Sequence, residues 1–125
     1  MSDIIITQTE TNGVVILEVV GKITRDLKTK VDTVGEFRLK VREVLASGKN
    51  KIILDLNGLR YIDSSGIGEL VSSFVACKNA GGRLKITRLT QKIHDLLAMT
   101  KLLQTLETFD SNEDAIKSFA TASTS

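Results

Sequence analysis

The chain has 125 residues, 42% of them hydrophobic but only 4% aromatic, and it contains no proline. Its 17 Lys and Arg against 15 Asp and Glu leave a formal charge of +2; that surplus is too small to imply nucleic acid or a membrane surface, and no stretch interleaves aromatic and basic residues as single-strand binders do. One domain is expected, over residues 1–120, with a core built from Val, Ile and Leu.

Ile4-Ile5-Ile6 opens a short strand, and Thr7 to Asn12 is polar. Asn12-Gly13 is a hairpin signal, so Val14 to Val20 reads as a β-branched second strand that pairs with the first and ends at Gly21. Gly21 to Thr33 is irregular, with Lys22, Arg25, Lys28 and Lys30 set against Asp26 and Asp32. Thr33-Val34-Gly35-Glu36 matches a capping box, in which Thr33 and Glu36 each satisfy the other's backbone N–H. Val34, Phe37, Val41, Val44 and Leu45 recur at helical spacing, with Gly48 as the stop. Leu27 and Val31 continue that period backwards, which leaves open an earlier start, at a cost of about 1 kcal/mol for Gly35 inside the helix.

Lys51 to Leu56 is apolar on successive residues, as in a central strand covered on both faces. Asn57 to Ile62 reads as a connection anchored by Leu59 and Ile62. A helix is predicted from about Ser65 to Asn79, with Ile67, Leu70, Val71, Phe74 and Val75 inward and Gly81-Gly82 as its end. Cys77 falls one residue beyond that face and reads as a packing thiol. Leu84 to Thr87 is another strand. Thr90 then caps a helix with Ile93, Leu96, Leu97 and Met99 facing inward. Leu106 to Phe109 is a short last strand. Ser111-Asn112-Glu113-Asp114 opens a final helix carrying Ile116 and Phe119, and Thr121 to Ser125 is expected to fray. A hairpin followed by alternating helices and strands predicts an α/β fold, a small mixed sheet with right-handed crossovers and about four helices packed around it.

The chain is organised around Tyr61-Ile62-Asp63-Ser64-Ser65-Gly66-Ile67-Gly68-Glu69-Leu70. Two serines stand where an extended segment turns into a helix. The first N–H groups of a helix lack intrahelical partners, and the macrodipole there tolerates negative charge. A serine at this place can cap silently or carry a phosphoryl group. Ser65 is expected to be the cap, bonding a backbone N–H near Gly68. Asp63 either holds the loop or faces a modifying enzyme. Gly66 and Gly68 would let a partner approach the backbone closely.

The run Asp63-Ser64-Ser65-Gly66-Ile67-Gly68, with the strand before it, the helix after it and the Gly81-Gly82 stop, resembles the phosphorylation motif of the STAS domain in anti-sigma factor antagonists. The resemblance covers almost the whole chain. It implies that Ser64 is the phosphoacceptor and that the surrounding turn binds a partner, an anti-sigma factor with Ser/Thr kinase activity. It further implies a PP2C-like phosphatase that restores the serine, and a cytoplasmic setting. It implies no cofactor of the chain's own, since nucleotide and Mg²⁺ belong to the kinase. It places the loop after the second strand, with Arg25 and Asp26, near the serine turn. Here the chain departs from the family's Gly-Glu-hydrophobic-Asp pattern: it has Gly21-Lys22-Ile23-Thr24 and a longer loop, so Asp26 could stand in for the usual acidic contact. Two other readings remain: the same serine switch in another regulatory system, or a STAS subunit of a lipid or anion transporter.

A catalytic reading lacks its parts. A nucleophile elbow needs Gly two residues to either side of the serine, but Ile62 precedes Ser64, and Asp63 and Ile67 flank Ser65. His94, the only histidine, sits between Ile93 and Leu96 and reads as a surface or boundary residue. One His and one Cys make no ordinary zinc site, and neither the P-loop nor the dinucleotide glycine pattern occurs. With Cys77 the only cysteine, no intramolecular disulfide can form, which suits a reducing cytosol. No basic leader with a long apolar core opens the chain, and no apolar run approaches the roughly 20 residues that span a bilayer.

Overall fold

The computed structural model describes residues 3–122. Its elements in chain order are β1 (Ile4–Thr11), β2 (Val14–Ile23), β3 (Arg25–Asp26), β4 (Val31–Asp32), α1 (Val34–Ala46), β5 (Lys51–Asp55), β6 (Leu59–Ile62), α2 (Ser64–Asn79), β7 (Arg83–Thr87), α3 (Gln91–Met99), a 3₁₀ turn (Leu102–Gln104), β8 (Glu107–Phe109) and α4 (Asn112–Ala122). The main sheet runs β1-β2-β5-β7-β8, and β6 also pairs with β2. Within it, among the described residues, only β1 and β2 are antiparallel, while β2–β5, β2–β6, β5–β7 and β7–β8 are parallel; β3 and β4 form a separate antiparallel pair. This is the expected mixed sheet with four helices.

Alternation along the strands sorts the core into two layers. Val15, Leu17, Ile52, Leu54, Leu84 and Ile86 face one way, into a cluster completed by Phe37 and Val41 of α1, Leu70 of α2 and Ile93 and Leu97 of α3. Val14 and Ile53 face the other way, under Ala115 and Phe119 of α4. Polar bonds fasten that last helix. Asn112 donates to the buried carboxylate of Asp55 at 2.9 Å, and Lys85, buried between the rings of Phe109 and Phe119, donates to Ser118 at 2.7 Å.

Several expectations need correction. β1 extends through the polar stretch to Thr11, because an edge strand with solvent on one face need not be apolar. Gly21 does not end β2. At φ +116° it already pairs with Leu59 of β6, which replaces β5 as the neighbour beyond Glu18, and β2 continues past a register shift to Ile23. A Cβ at Gly21 would stand 2.2 Å from the carbonyl oxygen of Asp3. The connection before the serines contains a strand, β6, and its anchors Leu59 and Ile62 are both buried.

α1 starts at Val34 and no earlier; Leu27 is 85% exposed. The capping box does not form. The Thr33 hydroxyl accepts from the Thr24 N–H at 3.0 Å and donates to the Lys22 carbonyl at 2.7 Å, so it closes the base of the β3–β4 hairpin instead. The buried line of α2 is Gly66, Leu70, Ser73 and Cys77, with Glu69 beside it, while Val75 is exposed. Met99 is exposed rather than inward. The Asn12-Gly13 turn, the Gly48 and Gly81 stops at positive φ and the Thr90 cap stand where expected. The expected fraying of residues 121–125 lies largely outside the described residues; the backbone of α4 is helical to Ala122.

Candidate functional site

β2 runs beside β6, so the end of β2 and the β6–α2 turn meet. Asp63 is the residue that joins them. Its backbone N–H donates to the Ile23 carbonyl at 3.3 Å. One carboxylate oxygen accepts from the Gly66 N–H at 2.8 Å and so caps α2. The other accepts from the Arg25 N–H at 2.9 Å and from the Thr24 hydroxyl. Burial pushes the Asp63 carboxyl up, but the bonds from Thr24, Gly66 and Arg25 outweigh it and hold the group below its ordinary value.

Asp63, and not Ser65, is therefore the cap of α2. Ser64 and Ser65 occupy the first two helical positions. Both are exposed, and neither hydroxyl bonds another described residue. Their N–H groups belong to the unpaired first turn, where the macrodipole is positive. A negative group on Ser64 would meet favourable dipoles and would displace no bond that holds the fold.

The two glycines of the turn part company. Gly66 is buried, and a Cβ there would stand 2.2 Å from the Ile23 carbonyl oxygen and 2.6 Å from the Ile62 side chain. Its smallness serves the internal contact between α2 and β2, so it is not open to a partner. Gly68 is exposed, and a Cβ there would meet nothing within 4 Å.

Beside the turn stands the basic loop, folded into the β3–β4 hairpin. The Arg25 side chain pairs with Asp32 at 3.2 Å. Asp26 accepts from the N–H groups of Lys28 at 2.9 Å and Thr29 at 3.4 Å, and these bonds lower its pKa. The hairpin thus touches the serine turn through Thr24 and the backbone of Arg25, while the Asp26 carboxylate is occupied in its own turn. Thr24, whose hydroxyl bonds Asp63, was not legible as a site residue. The one hint was that it stands where the family pattern has Asp.

Behind the turn lies a second unexpected group. Glu69 is buried in α2, and Arg38 of α1 donates to it at 2.7 Å. The pair ties α1 to the helix that presents the serines. Cys77 is fully buried, and burial lifts its thiol to about 11 against a weaker downward pull from Arg42. His94 is exposed. Among the described residues no group of three or more His, Cys, Asp and Glu could hold a metal, and no helix is long and apolar enough to cross a membrane.

Comparison with known proteins places the fold. The chain is 24% identical over 105 residues to the anti-sigma F factor antagonist of Paenibacillus polymyxa, which covers 83% of this chain and 85% of that protein. Its fold matches the crystal structure of an anti-sigma factor antagonist from Mycobacterium paratuberculosis with a TM-score of 0.78 at 18% identity, over 94% of each chain. It matches the phosphorylated form of the Bacillus cell fate determinant SpoIIAA with a TM-score of 0.65 at 18% identity, over 90% of this chain and 97% of that one. The family model for the STAS domain matches residues 6–115, from within β1 through the serine turn to the first turn of the last helix, and the chain belongs to the STAS domain family.

Proposed function

We propose that this protein is an anti-sigma factor antagonist that works by partner switching, with Ser64 as its phosphoacceptor. In the unmodified state it binds an anti-sigma factor that is also a Ser/Thr kinase, and a sigma factor is released. The Ser64 hydroxyl oxygen attacks the γ-phosphorus of ATP held by the kinase, its proton passes to a base of the kinase, and ADP leaves. A PP2C-like phosphatase hydrolyses the ester and restores the serine. The setting is the cytoplasm, and the chain acts as a binding module rather than an enzyme. The anti-sigma partner is taken from the named relatives, and the choice of Ser64 over its equally exposed neighbour Ser65 from the family's Asp-Ser-Ser-Gly motif.

One observation carries this reading: Ser64 is exposed at the first position of α2 while Asp63 alone supplies the cap. Esterification adds a charge of about −1.5 to −2 and three acceptor oxygens without removing a bond from the fold. A partner seated over Ser64, Ser65 and Gly68, flanked by Arg25 and Asp26, would have to desolvate that dianion, at a cost of several kcal/mol. A penalty of roughly 3–4 kcal/mol weakens binding by two to three decades. Incubation with the anti-sigma kinase and ATP, followed by peptide mass spectrometry, tests the assignment. Phosphate on Ser64, absent from Ser64→Ala, is expected; undiminished phosphate on that variant would move the site.

A further inference from the structure

Among the described residues β1 lies at the edge of the sheet, with β2 on one side and no strand on the other. Its register with β2 is unbroken from Ile4↔Gly21 to Thr11↔Val14, across the two-residue Asn12-Gly13 turn. In such a hairpin the closing pair exchanges both hydrogen bonds, and bonded positions alternate from there. Thr7, Thr9 and Thr11 therefore turn their amides towards β2, and Ile6, Gln8 and Glu10 turn theirs outward. Thr7 to Thr11 are all exposed.

Soluble proteins blunt such an edge with lysine, proline, a bulge or a short strand. β1 uses none of these devices: it has eight residues in continuous register and no Lys or Pro. Its one charge, Glu10, is paired with Lys49 at 3.1 Å. Apolar groups border the edge on both faces. On the open face, Ile5 is 59% exposed and its cross-strand neighbour Val20 38%. On the helix side, Leu39 is 61% exposed and shares a groove with Ile4 and Ile6.

We propose that β1 is the seam of a two-fold homodimer, in which the β1 strands of two copies pair antiparallel and their sheets become one. An edge paired with itself meets a mate of equal length, equal twist and matching outward amides, in an isologous contact. With the axis through Gln8, Ile6 faces Glu10 of the second copy and Thr7 faces Thr9, so no like charges oppose one another. Ile5 and Leu39 gain cover on the two faces. β2 separates this seam from β6 and the serine turn, so both copies keep Ser64 accessible.

A single seam is small, and interfaces below about 1,200 Å² are weak or transient, so the dimer is reversible. Sedimentation equilibrium of the full chain, over a wide concentration range, should show the mass rising from one chain to two. Gln8→Pro removes an outward amide without touching the β1–β2 ladder, and Ile5→Lys replaces an apolar group that the seam covers with a charge, opposite Thr11 of the second copy. Each should weaken association at least tenfold while the circular dichroism stays native. Thr108→Lys, on the opposite edge strand β8, should not weaken it. If Gln8→Pro does not fold, Ile5→Lys decides alone. Amide exchange at Ile6, Gln8 and Glu10 should slow as concentration rises. A monomer at every concentration, a dimer that survives the β1 variants, or exchange at these amides that ignores concentration would each overturn the proposal.

Discussion

At the scale of single residues, Asp63 and Ser64 divide the work of the turn. Asp63 receives three donors, and replacing it with Ala leaves all three without that partner. The loss of the cap alone costs about 1 kcal/mol, and the freed Arg25 N–H and Thr24 hydroxyl add to it, so a total near 2 kcal/mol is expected by denaturant unfolding. Because the folded carboxyl titrates below its ordinary 3.8, its stabilisation is complete above that value and is lost as pH falls through the depressed native value. The stability gap between wild type and Asp63→Ala should therefore be flat near neutrality and close in acid; a gap that widens in acid would contradict the assignment. Ser65→Ala should change stability by less than about 0.5 kcal/mol, as an exposed position with no bond to lose. Thr24→Asp sets two carboxylates at hydrogen-bond distance. Its melting temperature should fall near neutral pH and partly recover in mild acid, where one carboxylate takes a proton.

At the scale of elements, the turn separates two glycines that look alike in sequence. Gly66→Ala drives a methyl into the Ile23 carbonyl and should destabilise by about 1–3 kcal/mol or more. Gly68→Ala faces open space inside a helix and should stabilise by about 0.8–1 kcal/mol. Equal effects of the two changes would mean that α2 does not lie on β2 as described.

This contrast also shows what sequence can and cannot reveal. Local signals were legible: the Asn12-Gly13 turn, the Gly48 and Gly81 stops and the Thr90 cap each depend on the backbone of a few neighbouring residues. Roles set by residues far along the chain were not. Thr33 matched a local capping box, but its hydroxyl is claimed by Lys22 and Thr24 across the hairpin. The four residues of β6 are too few to show a period, and their pairing to β2 is non-local. Glu69 carries no local signal of its burial, because its partner Arg38 belongs to another helix. The exposed serine at the start of a helix was legible; its neighbour's role as the cap was not, since Asp and Ser are both good caps.

At the scale of the whole molecule, the sheet and three helices hold a rigid platform behind the turn. Cys77 reports on that platform. Its thiol is buried and lifted to about 11, so the reactive thiolate is scarce at neutral pH. A thiol reagent should label the native protein very slowly and the denatured protein at once; rapid labelling in the native state would place α2 off the core. The Arg38–Glu69 bond makes the same platform continuous between α1 and α2. Arg38→Ala leaves a buried carboxylate with only the Ser73 hydroxyl at 3.4 Å, and should cost about 1–3 kcal/mol.

The account turns on a charge that changes binding and not folding. Calorimetric titration of the anti-sigma kinase with the unmodified and the Ser64-phosphorylated chain, beside thermal melts of both, measures the two halves together. Affinity should fall roughly a hundredfold to a thousandfold while the melting temperatures stay close. Equal affinity for the two forms, or a phosphorylated chain that has lost its cooperative melt, would contradict it.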